Sequence, residues 1–397
     1  MAQARRIGIL TGGGDVPGLN SVIKSCVYRS TDLGYEVVGI RRGWEGLTHM
    51  RRGPALDRDY LRPLDRANTR TIDRTGGTVL HTSRTNPRRM RADRLPPWMN
   101  PEQSAGYAAE DNRFDLTPLV LANIAELRLD VLVVIGGDDT LSFAQVLDHE
   151  GVPVVAIPKT MDNDVPGTEY CIGFSSAITR AKELINRQRT TLGSHERIGI
   201  FRMFGRDAGF TALFTAYVTS ARCLIPEAPF DLDLLAEVLA EDHRLNPSHY
   251  AFVIAAEGAI WRGGRLAEYG EPDAYGHRRK VNIAEALVDE ISRRTSIETV
   301  ALELTYDLRS GEADSLDQMV AITFANVAMD LIRDGRSGQM VAIRDGHYAV
   351  TSLPDPGTPP RKVDVERMYD EERFRPVYSD RLGEPLLLLE LPVGITA

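Results

Sequence analysis

Two stretches of this 397-residue chain place carboxylates where packing alone gives no reason for them. Val131 to Leu141 reads VLVVIGGDDTL: an apolar run, two glycines, then Asp138 and Asp139 side by side. Pro158 to Asp164 reads PKTMDND, with Lys159 and Thr160 ahead of Asp162 and Asp164. If that segment is extended, its two carboxylates project the same way. Such a pair can hold a metal or abstract a proton. An Asx-rich turn is the competing explanation. Lys159 beside them is a compact cation suited to phosphate.

Other candidates stand at similar places. TGGGDVPGLN (11–20) puts Gly12, Gly13 and Gly14 just ahead of a helix expected to begin near Pro17. Bare backbone there lets an anion approach free amides. No GK[ST] follows, so it is not a Walker A loop, and the dinucleotide GxGxxG pattern is not convincingly met; a tight turn explains it equally well. RMFGRDAG sets Arg206 behind a glycine, AEG ends an apolar run with Glu257, and YDLRSG offers Tyr306 and Arg309. Any one of these reads equally as a surface charge.

What sets them apart is their shared place after apolar runs. IGIL (7–10), EVVGI (36–40), DVLVVIGG (130–137), VPVVAIP (152–158), RIGIFRM (197–203) and YAFVIAAEG (250–258) read as buried strands. Between them, LTPLVLANIAEL and SSAITRAKELINRQRTTL carry helical spacing. Unbroken apolar strands alternating with helices predict an α/β protein with a parallel sheet covered on both faces. Ligands of such folds gather at the carboxyl ends of strands, where the strand order reverses. The polar segment 86–115 reads as an insertion or lid loop. The tail from about 352 is Pro-rich, then amphipathic, and is expected to wrap over the core.

Composition narrows the function classes. With 43% hydrophobic residues a sizeable core is available, and the net charge of −9 argues against nucleic acid as a partner. Cys26, Cys171 and Cys223 lie far apart without a CxxC pair, which disfavours a zinc site and fits a reducing compartment. No apolar stretch reaches the roughly 20 residues of a membrane span, and MAQARRIGIL is too polar for a signal peptide. A soluble, cytoplasmic protein without a membrane partner is the expectation.

Taken together, GILTGGGDVPGLN, GGTVLHTSR, VIGGDDTL, IPKTMDND, RMFGRDAG, AEG and YDLRSGEADSLDQMVA resemble the phosphofructokinase family, in its order and spacing through most of the chain. The resemblance implies two Rossmann-like three-layer α/β/α domains with mostly parallel sheets and an active site in the cleft between them. Residues 1–173 plus about 308–358 would bind donor and metal, 174–307 the sugar phosphate, and 359–397 would form a C-terminal extension. ATP users of the family resemble GGDGS and PGTIDND. Asp139 and Lys159 replace two of those glycines, which is similar to the pyrophosphate-dependent branch.

That branch implies phosphoryl transfer from pyrophosphate to the 1-hydroxyl of fructose 6-phosphate. Asp162 would be the general base and Asp138 the ligand of Mg2+. Thr160 and Asp164 would position the sugar and the metal. Gly13 and Arg84 would contact pyrophosphate, Arg84 beside the transferring group, and Lys159 would grip it while balancing Asp139. Asp139 would exclude ATP by bulk and by repelling its α-phosphate. Arg206 would offset charge in the transition state. Phe204, Gly205, Glu257, Tyr306 and Arg309 would shape the pocket for the sugar and its 6-phosphate, and Arg197 would reach a neighbouring subunit's 6-phosphate, which implies a homodimer or homotetramer. Two positions depart from the pattern: Phe204 replaces a methionine, and Val300 replaces a second cross-subunit arginine. Lys24 and Glu227 match positions of an effector site in allosteric bacterial relatives, with Lys24 in place of an arginine.

Four alternatives stay open at this level. They are the same reaction with ATP, a pyrophosphate enzyme that also accepts sedoheptulose 7-phosphate, a non-catalytic regulatory subunit, and a dinucleotide-dependent dehydrogenase. The retained Asp138, Asp162 and Arg206 weigh against the regulatory subunit, and PKTMDND is unexplained by the dehydrogenase.

Overall fold

The Val- and Ile-rich runs form strands with almost every residue out of water, as expected for sheets covered on both faces. The computed structural model describes residues 5–53, 55–263 and 282–378, with the two-residue strands Glu268–Tyr269 and Arg279–Lys280. Eleven strands matter here. They are β1 (Arg6–Thr11), β2 (Glu36–Ile40), β3 (Leu61–Leu64), β4 (Val131–Gly136), β5 (Val154–Pro158), β6 (Ile198–Met203), β7 (Arg222–Leu224), β8 (Ala251–Ala256), β9 (Thr299–Leu304), β10 (Gln339–Arg344) and β11 (His347–Ser352).

Seven of them make one sheet in the order β11-β10-β5-β4-β1-β2-β3. Its five central strands are parallel, and β3 and β11 close the edges antiparallel. The other four make a fully parallel sheet in the order β9-β6-β8-β7. The chain leaves β1 toward β2 and returns to pair β4 on β1's other side, so the strand order reverses between β1 and β4. That is where a crevice opens in doubly wound sheets.

Five helices position the site: α1 (Leu19–Asp32), α2 (Asp138–His149), α3 (Phe174–Ser194), α4 (Phe210–Thr219) and α5 (Ser315–Arg333). The start of α1 lies two residues past the expected Pro17, with Gly18 as its cap. The two sheets are joined through a polar knot at the starts of α3 and α5. Asp317 is fully buried and accepts hydrogen bonds from Gly173 N, Ser176 N and the Tyr170 hydroxyl at 2.8, 2.8 and 2.7 Å. Burial raises its carboxyl to about 6, and those donors hold the rise in check. Asp314 caps α5 and accepts from Ser175 and Thr179 of α3.

Residues 86–115 are more ordered than a bare lid loop. Met90–Arg91 and Arg113–Phe114 pair antiparallel, and Met90, Leu95, Trp98, Met99, Tyr107 and Phe114 join Leu116 and Leu119 in a small core. The Trp98 indole donates to the His49 carbonyl at 2.7 Å, pinning this lobe beside the larger sheet. Part of the tail packs onto the second sheet. Val363, Met368, Tyr369 and Phe374 are buried, and Tyr369 donates to the Cys223 carbonyl at 2.6 Å. Residues 379–397 of the expected extension lie outside the described residues.

Candidate active site

Register brings the candidate loops together. Thr11 pairs with Ile135, and Gly136 with Pro158, so β1, β4 and β5 end side by side. In the second sheet Met203 aligns with Ala256 and Leu304. The residues that follow these ends face one polar pocket of about 220 Å3. Gly13, Arg84, Asp138, Asp139, Lys159, Thr160, Asp162, Asp164, Phe204, Arg206, Glu257 and Arg309 all line it.

Lys159 is 3% exposed, and its Nζ donates to the Gly14 carbonyl at 2.5 Å. Burial, then the nearby Arg309 guanidinium, lowers its ammonium to about 8, while Asp15 pulls the other way. Gly13 sits at φ +80°, and a Cβ there would lie 3.2 Å from that Nζ. The positive φ favours glycine there, and the missing Cβ leaves room for the lysine's end. Asp138 and Asp139 occupy the first turn of α2, where the helix dipole favours negative charge.

The PKTMDND segment is a turn rather than an extended strand. Asn163 adopts φ +56°, and its side chain bonds the Glu169 carbonyl at 3.0 Å and the Cys171 N–H at 2.7 Å. The Asx-rich reading therefore describes the backbone, yet both Asp162 and Asp164 still line the pocket. Asp162 Oδ1 is buried with no hydrogen-bond partner. Burial, reinforced by the Glu257 carboxylate and opposed by Arg309 and Arg206, raises the Asp162 carboxyl to about 7. Asp164 is pushed well up by burial and then by Asp162 and Asp138. A carboxyl titrating near neutrality in a polar pocket is suited to taking and returning a proton.

The second wall carries the cations. Arg202 donates to Glu257 at 3.1 Å and to Glu303 at 2.8 Å. The Arg309 guanidinium lies 4.3 Å from the centre of the Phe204 ring and donates to the Asp15 carbonyl at 2.8 Å. Phe204 thus forms a flat support for a cation, which a methionine at this position would not provide. Gly205, at φ +129°, turns the chain between Phe204 and Arg206. Tyr306 is 82% exposed and outside the pocket lining. Arg197 lies at the opposite end of β6 from Arg206 and pairs with Glu298 at 2.6 Å. The pocket residues missed from sequence are Val16, Gly137, Thr140 and Asp207, while Gly14 of the Gly-rich turn is among those singled out. Val16 and Gly137 belong to stretches already quoted. Thr140 and Asp207 sit one residue past chosen ones, and nothing in their types marks them.

An α/β fold of two mostly parallel sheets with a pocket of cations and carboxylates between their strand ends defines a class of phosphate-handling enzymes. The family model for phosphofructokinase matches residues 6–332, and the chain belongs to the phosphofructokinase family. It is 36% identical to the pyrophosphate–fructose 6-phosphate 1-phosphotransferase of Amycolatopsis methanolica over 93% of this chain and 99% of that protein. Identity to the protein of the same name from Thermoproteus tenax is 38%, over 88% of this chain and 92% of that one. A relative from Streptomyces coelicolor named ATP-dependent 6-phosphofructokinase 3 is also 36% identical, over 88% of this chain and 94% of that one. Among solved structures, a pyrophosphate-dependent phosphofructokinase from Nitrosospira multiformis shares the fold, with TM-score 0.72 at 15% identity, over 94% of this chain and 89% of that one.

Proposed function

We propose that this chain transfers a phosphoryl group from pyrophosphate to the 1-hydroxyl of fructose 6-phosphate, reversibly, giving fructose 1,6-bisphosphate and phosphate. The observation that carries the donor assignment is Lys159, buried against the Gly12–Gly14 turn in the pocket that also holds Asp139. A cation there suits a compact donor that presents its charge at the turn. A carboxylate at Asp139 opposes a third phosphate in the same poorly screened space.

The residues then act as follows. Gly13, Lys159 and Arg84 hold pyrophosphate, with Arg84 beside the group being transferred. Thr160 and Asp164 orient the sugar, and Glu257 and Arg309 hold it and its 6-phosphate, while Tyr306, exposed outside the pocket, takes no part in this arrangement. Asp162 accepts the proton of the 1-hydroxyl as that oxygen bonds to phosphorus. The bridging P–O bond breaks, and phosphate leaves with the electron pair. Arg206 offsets charge spreading over the transferring oxygens. The work is positioning and electrostatics.

The oxygen-rich wall of Asp138, Asp162 and Asp164 fits Mg2+, with Asp138 as the protein ligand. Among the described residues no three acidic, His or Cys groups form a metal cage, and a magnesium ion here would take its other ligands from phosphates and water. When bound, it neutralises phosphate charge. The donor domain comprises 1–173 with about 308–358, and the sugar domain 174–307. The setting is cytoplasmic glycolysis or gluconeogenesis, in a homodimer or homotetramer.

ATP is the second reading, and one feature favours it. A cavity of about 660 Å3 opens beside Arg84, walled by the 86–115 lobe and by His49 and Tyr60, with room for a nucleoside. Sedoheptulose 7-phosphate is a further acceptor to try against the Phe204 wall. The deciding experiment is turnover of the purified protein with fructose 6-phosphate and magnesium, given pyrophosphate or ATP. Faster turnover with ATP at matched concentrations rejects the pyrophosphate assignment.

A further inference from the structure

We propose that residues 361–363 of the C-terminal segment form a strap that sets the position of the Asp162 loop for phosphoryl transfer, with Arg361 as its positioning residue. The proposal rests on the reading of Asp162 as the base. Arg361 is 6% exposed although it follows the Pro-rich start of the tail. Its Nη1 donates to the Asn163 carbonyl at 3.0 Å and to the Thr168 carbonyl at 2.6 Å, and its backbone N–H donates to the Asp164 carbonyl at 2.8 Å. One residue thus holds the backbone at the left-handed turn at Asn163, which separates Asp162 from Asp164, and along the stretch that follows it. Its guanidinium also lies 4.9 Å from the centre of the Phe210 ring, the first residue of α4.

Two residues on, the Val363 N–H donates to Glu227 Oε1 at 2.9 Å. The same oxygen accepts the N–H of Gly209 at 2.9 Å, three residues after Arg206. Thr211 of α4 returns to the base loop and donates to the Met161 carbonyl at 2.6 Å. The strap therefore links the loop carrying the base to the loop carrying Arg206, one from each sheet. A planar guanidinium can serve two carbonyls at fixed angles, which an ammonium on a flexible stem does not do. Misplacing a catalytic group by about 1 Å can cost roughly 100-fold in rate.

The test compares wild type, Arg361→Lys and Arg361→Ala in kcat, donor KM, thermal midpoint and amide exchange. Arg361→Ala should lose kcat by about 100-fold with donor KM within about threefold, because Gly13, Lys159 and Arg84 are held elsewhere. Amides of 164–170 should exchange faster, and guanidinium ion added below denaturing concentration should restore part of kcat. Arg361→Lys should fall between the two. Wild-type kcat per folded molecule in the Ala variant, or an equal loss in kcat and in donor binding, overturns the strap. Should the Ala variant fail to fold, Arg361→Lys decides alone, and wild-type turnover in it overturns the proposal. The comparison uses whichever donor wild type accepts, so a wrong donor assignment leaves this test intact.

Discussion

The ammonium of Lys159 donates to the carbonyl oxygen of Gly14 across 145 residues of sequence. The residue that distinguishes PKTMDND from the glycine-bearing pattern is therefore fixed on the Gly-rich turn of β1. Its lowered value, about 8, means the cation is fully present below that pH and is lost as pH rises through it. Pyrophosphate KM should be flat below pH 8 and climb by up to about tenfold per unit above it. A pH series of donor KM checks this, and Lys159→Arg, charged throughout, should remove the climb.

Asp162→Asn should separate activity from stability. The folded-state value of Asp162, about 7, lies above its ordinary 3.8. Its contribution to stability is thus complete only below 3.8 and is lost as pH rises through 7. At pH 8 the ionised group costs stability, so the asparagine variant should gain roughly 1–3 kcal/mol while kcat falls about 10²–10⁴-fold. In wild type, kcat/KM in the forward direction should fall as pH drops below 7. Near-normal turnover in the variant would remove Asp162 from the mechanism.

The donor filter should behave as a coupled pair. Asp139→Gly should gain ATP use and lose pyrophosphate activity. Lys159→Gly should lose pyrophosphate activity without gaining ATP. The double variant should use ATP better than the single effects combined, because neighbouring charges in one site are not additive. Each charge is worth about 1–4 kcal/mol here, or roughly one to three decades of rate. The measurement is kcat/KM for both donors in four proteins, and an unchanged donor ratio in Asp139→Gly counts against the filter.

Arg197 should act on the sugar phosphate of a neighbouring subunit. It lies at the far end of β6 from the pocket and forms an ion pair with the exposed Glu298 at 2.6 Å. The protein should sediment as a dimer or larger, and Arg197→Ala should raise KM for fructose 6-phosphate more than it lowers kcat. An active monomer at assay concentration would contradict this.

Effector response should be weak or absent. Lys24 is paired with Asp73 at 2.8 Å, and Glu227 spends one oxygen on the N–H groups of Gly209 and Val363. Lys24 is thus engaged within the chain, as is one of the two Glu227 oxygens, the other being buried without a hydrogen-bond partner. Titrating ADP or phosphoenolpyruvate into a sugar-phosphate saturation assay should move half-saturation by less than about twofold.

The sequence by itself determined six of the main strands, the parallel core of the sheets and the loops that carry chemistry, but not the strands at 61–64, 222–224, 299–304, 339–344 and 347–352, two of which pair antiparallel at the edges of the larger sheet. Buried parallel strands need unbroken Val and Ile runs, and glycines and carboxylates placed after such runs have few structural uses. It also determined that Asp138, Asp162, Lys159, Arg206, Glu257 and Arg309 belong together, because their types and order are those of one family. It did not determine the turn at Asn163, whose left-handed backbone depends on partners at Glu169 and Cys171. Nor did it show that Phe204 would support Arg309, or that 86–115 would build a small core of its own. Arg361 carried no signal at all: it binds backbone carbonyls 193 and 198 residues away, and carbonyls are present at every position. Side-chain identity marks where chemistry is possible, whereas backbone groups gain meaning only once the tertiary fold brings them within hydrogen-bonding distance.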